Sequence, residues 1–402
     1  MKDRVVLAYS GGLDTSVAVN WIQEKYNVDV VTMTLDLGQK IDLKAAEEKA
    51  KSIGAVKHYS IDAKDEFAEN YVAPAIKANA LYEGKYPIGT ALSRPLIASK
   101  LVEVAKKEGA VGVAHGSTGK GNDQVRFDVT MKSLAPELKI IAPIREWNLS
   151  REEEIRFAEE RGIPIPVGLE SPYSVDQNLW GRSIECGPLE QPDLEPPEEV
   201  FEWTKKPEDA PEKAEYVSVR FDRGVPVAFG GEKKSLAELI EELNSVAGAH
   251  GVGRVDHIED RLVGFKSREV YESPAATVII EAHKDLEKIA LTRHELFFKR
   301  QIEDEWTSLV YNGLWVEPLR EDLEAFINKS QEHVAGEVKL KLYKGGFRVV
   351  GRSSPFSLYD KDLSTYDVAT TFDQRWSQGF IELWGLPTMV ANTLRRKRGK
   401  KA

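Results

Sequence analysis

The chain reads as a doubly wound, parallel-sheet α/β domain over residues 1–165, an α+β domain over 166–364 and a C-terminal helical arm over 365–402. Two observations lead there. Short β-branched runs alternate with helix-period segments through the first 165 residues, whereas later strands come as neighbours joined by short turns. In order, residues 5–9 form a buried-strand run, and 15–24 set Val17/Trp21 and Ala18/Ile22 on one helical side. Residues 28–34 are a second β-branched run, and 43–53 an Ala/Glu/Lys helix stopped by Gly54. A short strand at 58–61 precedes helical spacing over 64–79, and 92–108 is a helix closed by Gly109. Strands over 111–114 and 139–144 follow. Ser150 with Glu153 then forms a capping box for a helix ending at Gly162. Sheets of this kind bind ligands at the carboxyl ends of their strands.

The pattern changes after residue 162. Two prolines fall in 162–166, and six more in the acidic stretch 187–211, an irregular connector anchored by Leu189, Val200, Phe201 and Trp203. Antiparallel strands are predicted at 216–221 and 225–229, with helices over 236–246, 275–289, 295–311 and 319–328. Residues 338–343 and 347–350 flank Lys344-Gly345-Gly346 as a hairpin. The final segment has helical composition interrupted at Gly385 and Pro387, and it ends in a basic run over 395–401.

Composition excludes several classes. The 402 residues carry 55 Lys+Arg against 65 Asp+Glu, a net charge of −10, which argues against a nucleic-acid partner. No run approaches the ~20 apolar residues of a membrane span, and the apolar run at 5–9 is too short for a signal-peptide core. The single cysteine, Cys186, excludes an internal disulfide and a two-thiol sulfur relay, and it points to a reducing, cytoplasmic setting.

The sharpest local signal is Ser10-Gly11-Gly12-Leu13-Asp14-Thr15-Ser16, between the first strand and the first helix. There, backbone N–H groups and the positive end of a helix face an anion, and the glycines allow close approach. The spacing is neither that of a Walker A loop nor that of a dinucleotide fingerprint. Asp14 would repel phosphate unless a cation intervened, so it points to Mg²⁺ on a pyrophosphate. A second glycine loop, 115–127 (HGSTGKGNDQVRF), follows another strand and so opens on the same sheet edge. Lys120 can neutralise phosphate, Arg126 can hold a carboxylate, and Asn122 with Asp123 can orient amines. His115 suits either a phosphate contact or a structural hydrogen bond.

The first loop resembles the SGGxDS pyrophosphate loop of the N-type ATP pyrophosphatases, which cleave ATP between the α and β phosphates and adenylate a substrate oxygen. The second closely resembles the HGATGKGNDQVRF signature of the argininosuccinate synthase family. YPIGT (86–90), IIAP (140–143), GIPIPV (162–167), GVGR (251–254), KSR (266–268) and YESP (271–274) extend the likeness over nearly the whole chain. The resemblance implies a nucleotide-binding first domain and a synthetase second domain. The implied reaction is ATP-dependent ligation of citrulline and aspartate through citrullyl-AMP, in arginine biosynthesis.

It assigns ATP to Ala8, Tyr9, Ser10, Gly11, Gly12, Leu13, Asp14, Thr15, Ser16, Leu35 and Gly116. Citrulline falls to Tyr86, Asn122, Arg126, Ser174, Ser183, Glu259 and Tyr271, and aspartate to Thr118, Asn122 and Asp123. Asp14, through Mg²⁺, and Lys120 would supply electrostatic support, with no nucleophilic residue. It also implies a homotetramer whose arm, bearing Trp376, Phe380, Leu383, Trp384 and Leu386, reaches a neighbour. One position departs from the family pattern: Ala91 stands where relatives carry a serine expected to touch citrulline, and Ser93, two residues on, faces elsewhere on a helix.

A tRNA-modifying ATP pyrophosphatase is the alternative reading, supported by the basic tail. The charge, the lone cysteine and the lack of an RNA-binding pattern oppose it. An asparagine synthetase would need an N-terminal cysteine nucleophile, and a regulatory nucleotide binder would not need the full residue set.

Overall fold

Five short strands pair side by side. In the computed structural model, strands β1 (Arg4–Ala8), β2 (Asp29–Asp36), β3 (Lys57–Asp62), β4 (Gly112–Ala114) and β5 (Lys139–Ile141) lie in the order β3-β2-β1-β4-β5, every pair parallel. The chain winds from β1 outward to β3, then adds β4 and β5 on the other side of β1. The strand order therefore reverses between β1 and β4, where a ligand crevice opens in such sheets. Residues 2–147, 149–164, 171–366, 371 and 373–399 are described, and the chain divides into a unit up to Phe356 and a second from Ser357. The domain boundary expected at 165/166, the end of the GIPIPV segment and the last residues of the basic tail lie outside the described residues.

Helices α1 (Leu13–Tyr26) and α2 (Leu43–Ser52) follow β1 and β2. The helical stretch after β3 comes in three pieces, α3 (Lys64–Phe67), a π-helical turn over Ala68–Val72 and α4 (Ala73–Lys77). Helix α5 (Gly89–Glu108) begins three residues before the predicted start, so Ala91 and Ser93 both lie in its opening turns. Helix α6 (Asp123–Leu134) starts inside the second glycine loop, where polar motif residues conceal it from periodicity. The strand expected over 139–144 stops at Ile141, because Pro143 has no N–H for a ladder and opens α7 (Pro143–Trp147). Ser150 and Glu153 make the predicted reciprocal cap of α8 (Arg151–Glu160).

Two antiparallel sheets follow. One, ordered β10-β9-β8-β13-β14, comprises β8 (Glu215–Asp222), β9 (Val225–Phe229), β10 (Glu232–Lys233), β13 (Gly336–Tyr343) and β14 (Gly346–Ser353), with the predicted hairpin at its edge. Helices α9 (Leu236–Ala249) and α10 (Pro274–Ala290) pack against it through apolar residues such as Leu239, Ile240, Ile279 and Leu286. Next come α11 (Arg293–Tyr311) and α12 (Pro318–Ser330). The other sheet, ordered β11-β12-β7-β6, has no counterpart in the sequence reading. Its strands are β6 (Ser174–Asn178), β7 (Gly181–Glu185), β11 (Arg254–Asp260) and β12 (Lys266–Glu272). One face buries Ile184 and Val270 against Leu189 and Val200, two of the expected connector anchors.

The β6–β7 turn fixes this sheet to the crevice edge of the parallel one. Leu179 N–H donates to the Leu37 carbonyl at 2.7 Å, Asn178 Nδ2 to the Gly89 carbonyl at 3.0 Å, and Trp180 Nε1 to the Pro87 carbonyl at 2.9 Å. Gly38, at φ +94°, makes the approach possible, since a Cβ there would stand 2.9 Å from Leu179 Cβ. In the second unit, α13 (Lys361–Ser364) precedes α14 (Trp376–Gly399). Helix α14 runs unbroken through Gly385 and Pro387, contrary to the predicted interruption. A proline removes one i→i−4 hydrogen bond, and the turns on either side retain theirs.

Candidate active site

The first glycine loop is shaped by its own hydroxyls. Gly11 sits at φ +80°, Gly12 N–H donates to Ser10 Oγ at 3.3 Å, and Ser10 Oγ lies 3.1 Å from Thr15 Oγ1. Tyr9 OH meets Ser16 Oγ at 3.2 Å beneath the loop. Lys49, from α2, donates to the Gly11 carbonyl at 2.7 Å. It is a cation at the phosphate-type turn that local motif reading misses, because it comes from the next helix.

The second loop packs against the first, with a Cβ on Gly116 reaching to 3.1 Å from Thr15 Cγ2. His115 takes the structural role. Its Nδ1 accepts from Ser117 N–H at 3.1 Å, so Nε2 carries the proton given to Asp128 Oδ1 at 2.8 Å. Between the loops lies a cavity of about 800 Å³. Of the residues assigned to ATP, Ala8, Tyr9, Ser10, Asp14, Thr15, Leu35 and Gly116 line it. Gly11, Gly12, Leu13 and Ser16 are not in its wall, and Leu13 and Ser16 are buried. Ser174, Asp176, Arg94 and Ser93 line its other side.

The residues assigned to citrulline gather beside this cavity, mostly buried. Register places Ser174 and Asp176 of β6, Ser183 and Glu185 of β7, Glu269 and Tyr271 of β12, and Glu259 of β11 on a single face of the four-stranded sheet. Tyr271 OH lies 2.8 Å from Glu259 Oε2, and Tyr311 OH donates to Glu259 Oε1 at 2.8 Å. Asn122 Nδ2 donates to Tyr311 OH at 2.9 Å. Tyr86 stacks on Tyr271 with ring centroids 4.1 Å apart, and its hydroxyl meets Thr90 Oγ1 at 2.8 Å.

Arg126, 3% exposed, spends its donors within the protein. Nε and one terminal nitrogen bond the Tyr311 carbonyl at 3.1 and 2.9 Å; the other reaches Asp123 Oδ1 at 2.8 Å and Thr90 Oγ1 at 3.2 Å. Arg94 holds Asp123 from the cavity side through Nε at 2.8 Å and also pairs with Asp176. Burial opposes the charge on Asp123, but Arg94 and Arg126 hold its carboxyl below the usual carboxylate range. Thr118 and Lys120 stand exposed on the loop, outside the cavity wall.

Comparison with known proteins accounts for this residue set. Residues 4–164 match the arginosuccinate synthase N-terminal HUP domain, and residues 173–391 match the arginosuccinate synthase C-terminal domain. The argininosuccinate synthase of Oceanobacillus iheyensis is 58% identical over 401 residues, covering 100% of this chain and 96% of that one. That of Pyrococcus furiosus is 59% identical over 388 residues, covering 96% and 94%. The chain belongs to the argininosuccinate synthase family.

It is accordingly an ATP-binding ligase of the argininosuccinate synthase type, as both antiparallel sheets and the nucleotide-type crevice accommodate. Among the described residues no helix is long and apolar enough to cross a membrane. No group of three or more His, Cys, Asp or Glu residues among them is arranged to hold a metal ion. Asp14 in the cavity wall does fit Mg²⁺ of another kind, an ion that arrives with a nucleotide and keeps phosphate oxygens and waters as its other ligands. Beyond the motif residues, this argininosuccinate synthase fold brings Arg94, Asp176, Glu269 and Tyr311 to the site. None lies in a glycine loop, and none carries a periodic signal.

Proposed function

We propose that the chain joins citrulline to aspartate at the expense of ATP, through citrullyl-AMP, as a step of arginine biosynthesis. The observation that supports this most is the seam between cavity and sheet. The crevice bounded by the two glycine loops is continuous with the polar face carrying Ser174 and Asp176, so a nucleotide and an amino acid can meet there. The ureido oxygen of citrulline forms a bond to the α-phosphorus while the bond to the β-phosphate oxygen breaks and pyrophosphate leaves. The amine of aspartate then attacks the ureido carbon, the C–O bond to AMP breaks, and a proton leaves the new nitrogen.

Alignment of reactants and compensation of phosphate charge are what such a sequence demands of the protein. The N–H groups of Ser10–Ser16 and the start of α1 would cradle the pyrophosphate, and Leu35 and Gly116 would flank adenosine. Asp14 would hold Mg²⁺, which neutralises charge on the phosphates, and Lys120 would fold over them from its exposed loop. Tyr86, Asn122, Arg126, Ser174, Ser183, Glu259 and Tyr271 would bind citrulline, and Thr118, Asn122 and Asp123 aspartate. Both groups exchange internal hydrogen bonds for ligand bonds as the site fills. The exposed apolar side chains of α14, Trp376, Phe380, Leu383 and Trp384, suit a second copy of this chain and a homotetramer.

One assay tests the reaction. Purified protein with Mg-ATP releases pyrophosphate in turnover amounts when citrulline and aspartate are both supplied, and oxygen-18 in the citrulline ureido group appears in AMP. Release driven by tRNA instead, or AMP without the label, overturns the reading.

A further inference from the structure

On the polar face of the four-stranded sheet, Glu185, Glu259 and Glu269 gather near one guanidinium, that of Arg261. Arg261, just after β11, lies 2.8 Å from Glu269 Oε1 and also pairs with Glu185, so a single cation serves two acids. Glu259 also lies in the field of Arg261, and it is approached by two phenols. Tyr311 OH carries its own proton to Glu259 Oε1, because the Tyr311 oxygen is itself the acceptor for Asn122 Nδ2.

Tyr271 cannot complete the arrangement alone. Its hydroxyl oxygen lies 2.8 Å from Glu259 Oε2 and 2.9 Å from Glu269 Oε2, and a phenol has one proton to donate. Two carboxylates crowded about one phenol proton repel each other, and a second proton on one of them relieves that repulsion. Glu259, already receiving Tyr311, is the acceptor of the Tyr271 proton, and Glu269 then donates to the Tyr271 oxygen. The surroundings favour this assignment. Burial first, then the charges of Glu259 and Glu185, push the Glu269 carboxyl up to about 8 against the pull of Arg261. His257, opposite Glu269 in the β11–β12 register, meets Glu83 at 3.0 Å, and Tyr86 stacks on the far side of Tyr271.

We infer that Glu269 is a neutral carboxylic acid in the ligand-free protein and releases its proton to solvent when the ammonium group of the amino-acid substrate binds beside Glu259. The O–H bond of Glu269 breaks, the proton passes to bulk buffer, and the Glu259–Glu269 pair faces the cation as two carboxylates. The inference rests on the citrulline reading of this site. Linkage follows directly: below the carboxyl's ligand-free pKa each binding event must expel a proton, so affinity for the substrate rises with pH and levels off above it.

Calorimetric titration of the full-length protein with citrulline, in PIPES and in Tris at pH 7.0 with saturating α,β-methylene-ATP, reads the proton directly. The difference between buffers should correspond to release of about 0.8 proton per citrulline. Glu269→Gln, which keeps a donor toward Tyr271, should bind about tenfold more weakly and release under about 0.1 proton. Glu269→Asp should restore the release. Citrulline binding to the wild type with no buffer dependence overturns the proton inference and leaves the substrate reading standing, as does full release from Glu269→Gln. No citrulline binding at all overturns the substrate reading and this inference with it.

Discussion

Gly116 packs against Thr15, and a methyl group on Gly116 would stand 3.1 Å from Thr15 Cγ2. The contact joins the two strand-end loops that the switch in strand order brings together. Gly116→Ala should therefore raise the KM for ATP about 3- to 10-fold, while stability changes by no more than about 1–2 kcal/mol. Thr15→Ser deletes the opposing methyl, so the double variant should recover most of the loss. Steady-state kinetics on the three variants checks this, and an additive double variant would show that the two side chains do not meet.

Asp14 is the glycine loop's carboxylate in the cavity wall. Asp14→Asn preserves its size and removes its charge, so kcat/KM for Mg-ATP should fall at least about 100-fold with the melting temperature little changed. Raising free Mg²⁺ should recover part of that loss, as measured by pyrophosphate release.

Arg126 bonds Asp123, Thr90 and the Tyr311 carbonyl from a buried position. Arg126→Ala leaves the half-buried Asp123 with Arg94 as its remaining cation and should cost about 1.5–3 kcal/mol, besides abolishing citrulline turnover. The pH dependence has a definite sign. Asp123 titrates below its unfolded value in the folded protein, so its stabilisation is complete above about pH 4 and drains away as pH falls through the lower, folded pKa. Urea unfolding across pH 2.5–6 should show a shallower acid loss in the variant, whose Asp123 lies closer to its unfolded value.

Ala91 is fully buried in the opening turn of α5, next to Thr90. Ser93 lines the cavity and gives its hydroxyl to the Thr90 carbonyl at 3.1 Å, so it does not supply the missing hydroxyl at position 91. Ala91→Ser should lower the KM for citrulline about 2- to 10-fold, the worth of one net hydrogen bond, with kcat unchanged. A KM that rises would mean that the pocket has no room for the added oxygen.

Removal of residues 357–402 should reduce the assembly state, read by sedimentation velocity, because Trp376, Phe380, Leu383 and Trp384 leave with them. An unchanged sedimentation coefficient per subunit number would place the contacts between copies elsewhere.

The parallel sheet is legible in the chain because its inner strands β2, β1 and β4 are buried on both faces and read as apolar runs, as with residues 5–8 of β1. The glycine loop after β1 is legible for a related reason, since tight turns at a helix start restrict residue choice. Strands β6, β7, β11 and β12 escape such reading. One face of their sheet is lined with Ser174, Asp176, Ser183, Glu185, Glu259, Glu269 and Tyr271, so polar residues occupy positions that a core-facing pattern would fill with apolar ones. Helix α6 is hidden likewise, beginning within a motif chosen for chemistry.

The alternation that makes a doubly wound sheet, the position of both glycine loops and, through the motifs, the family are all written in the order of residues. Local residue preferences and contiguous spacing carry all of these. Long-range packing is what brings Lys49 to Gly11, sets Arg94 and Arg126 on Asp123, and stands the one hydroxyl of Tyr271 between Glu259 and Glu269. These pairings join residues distant along the chain or on adjacent strands, and their charges and protons depend on burial and on neighbours that no local window contains.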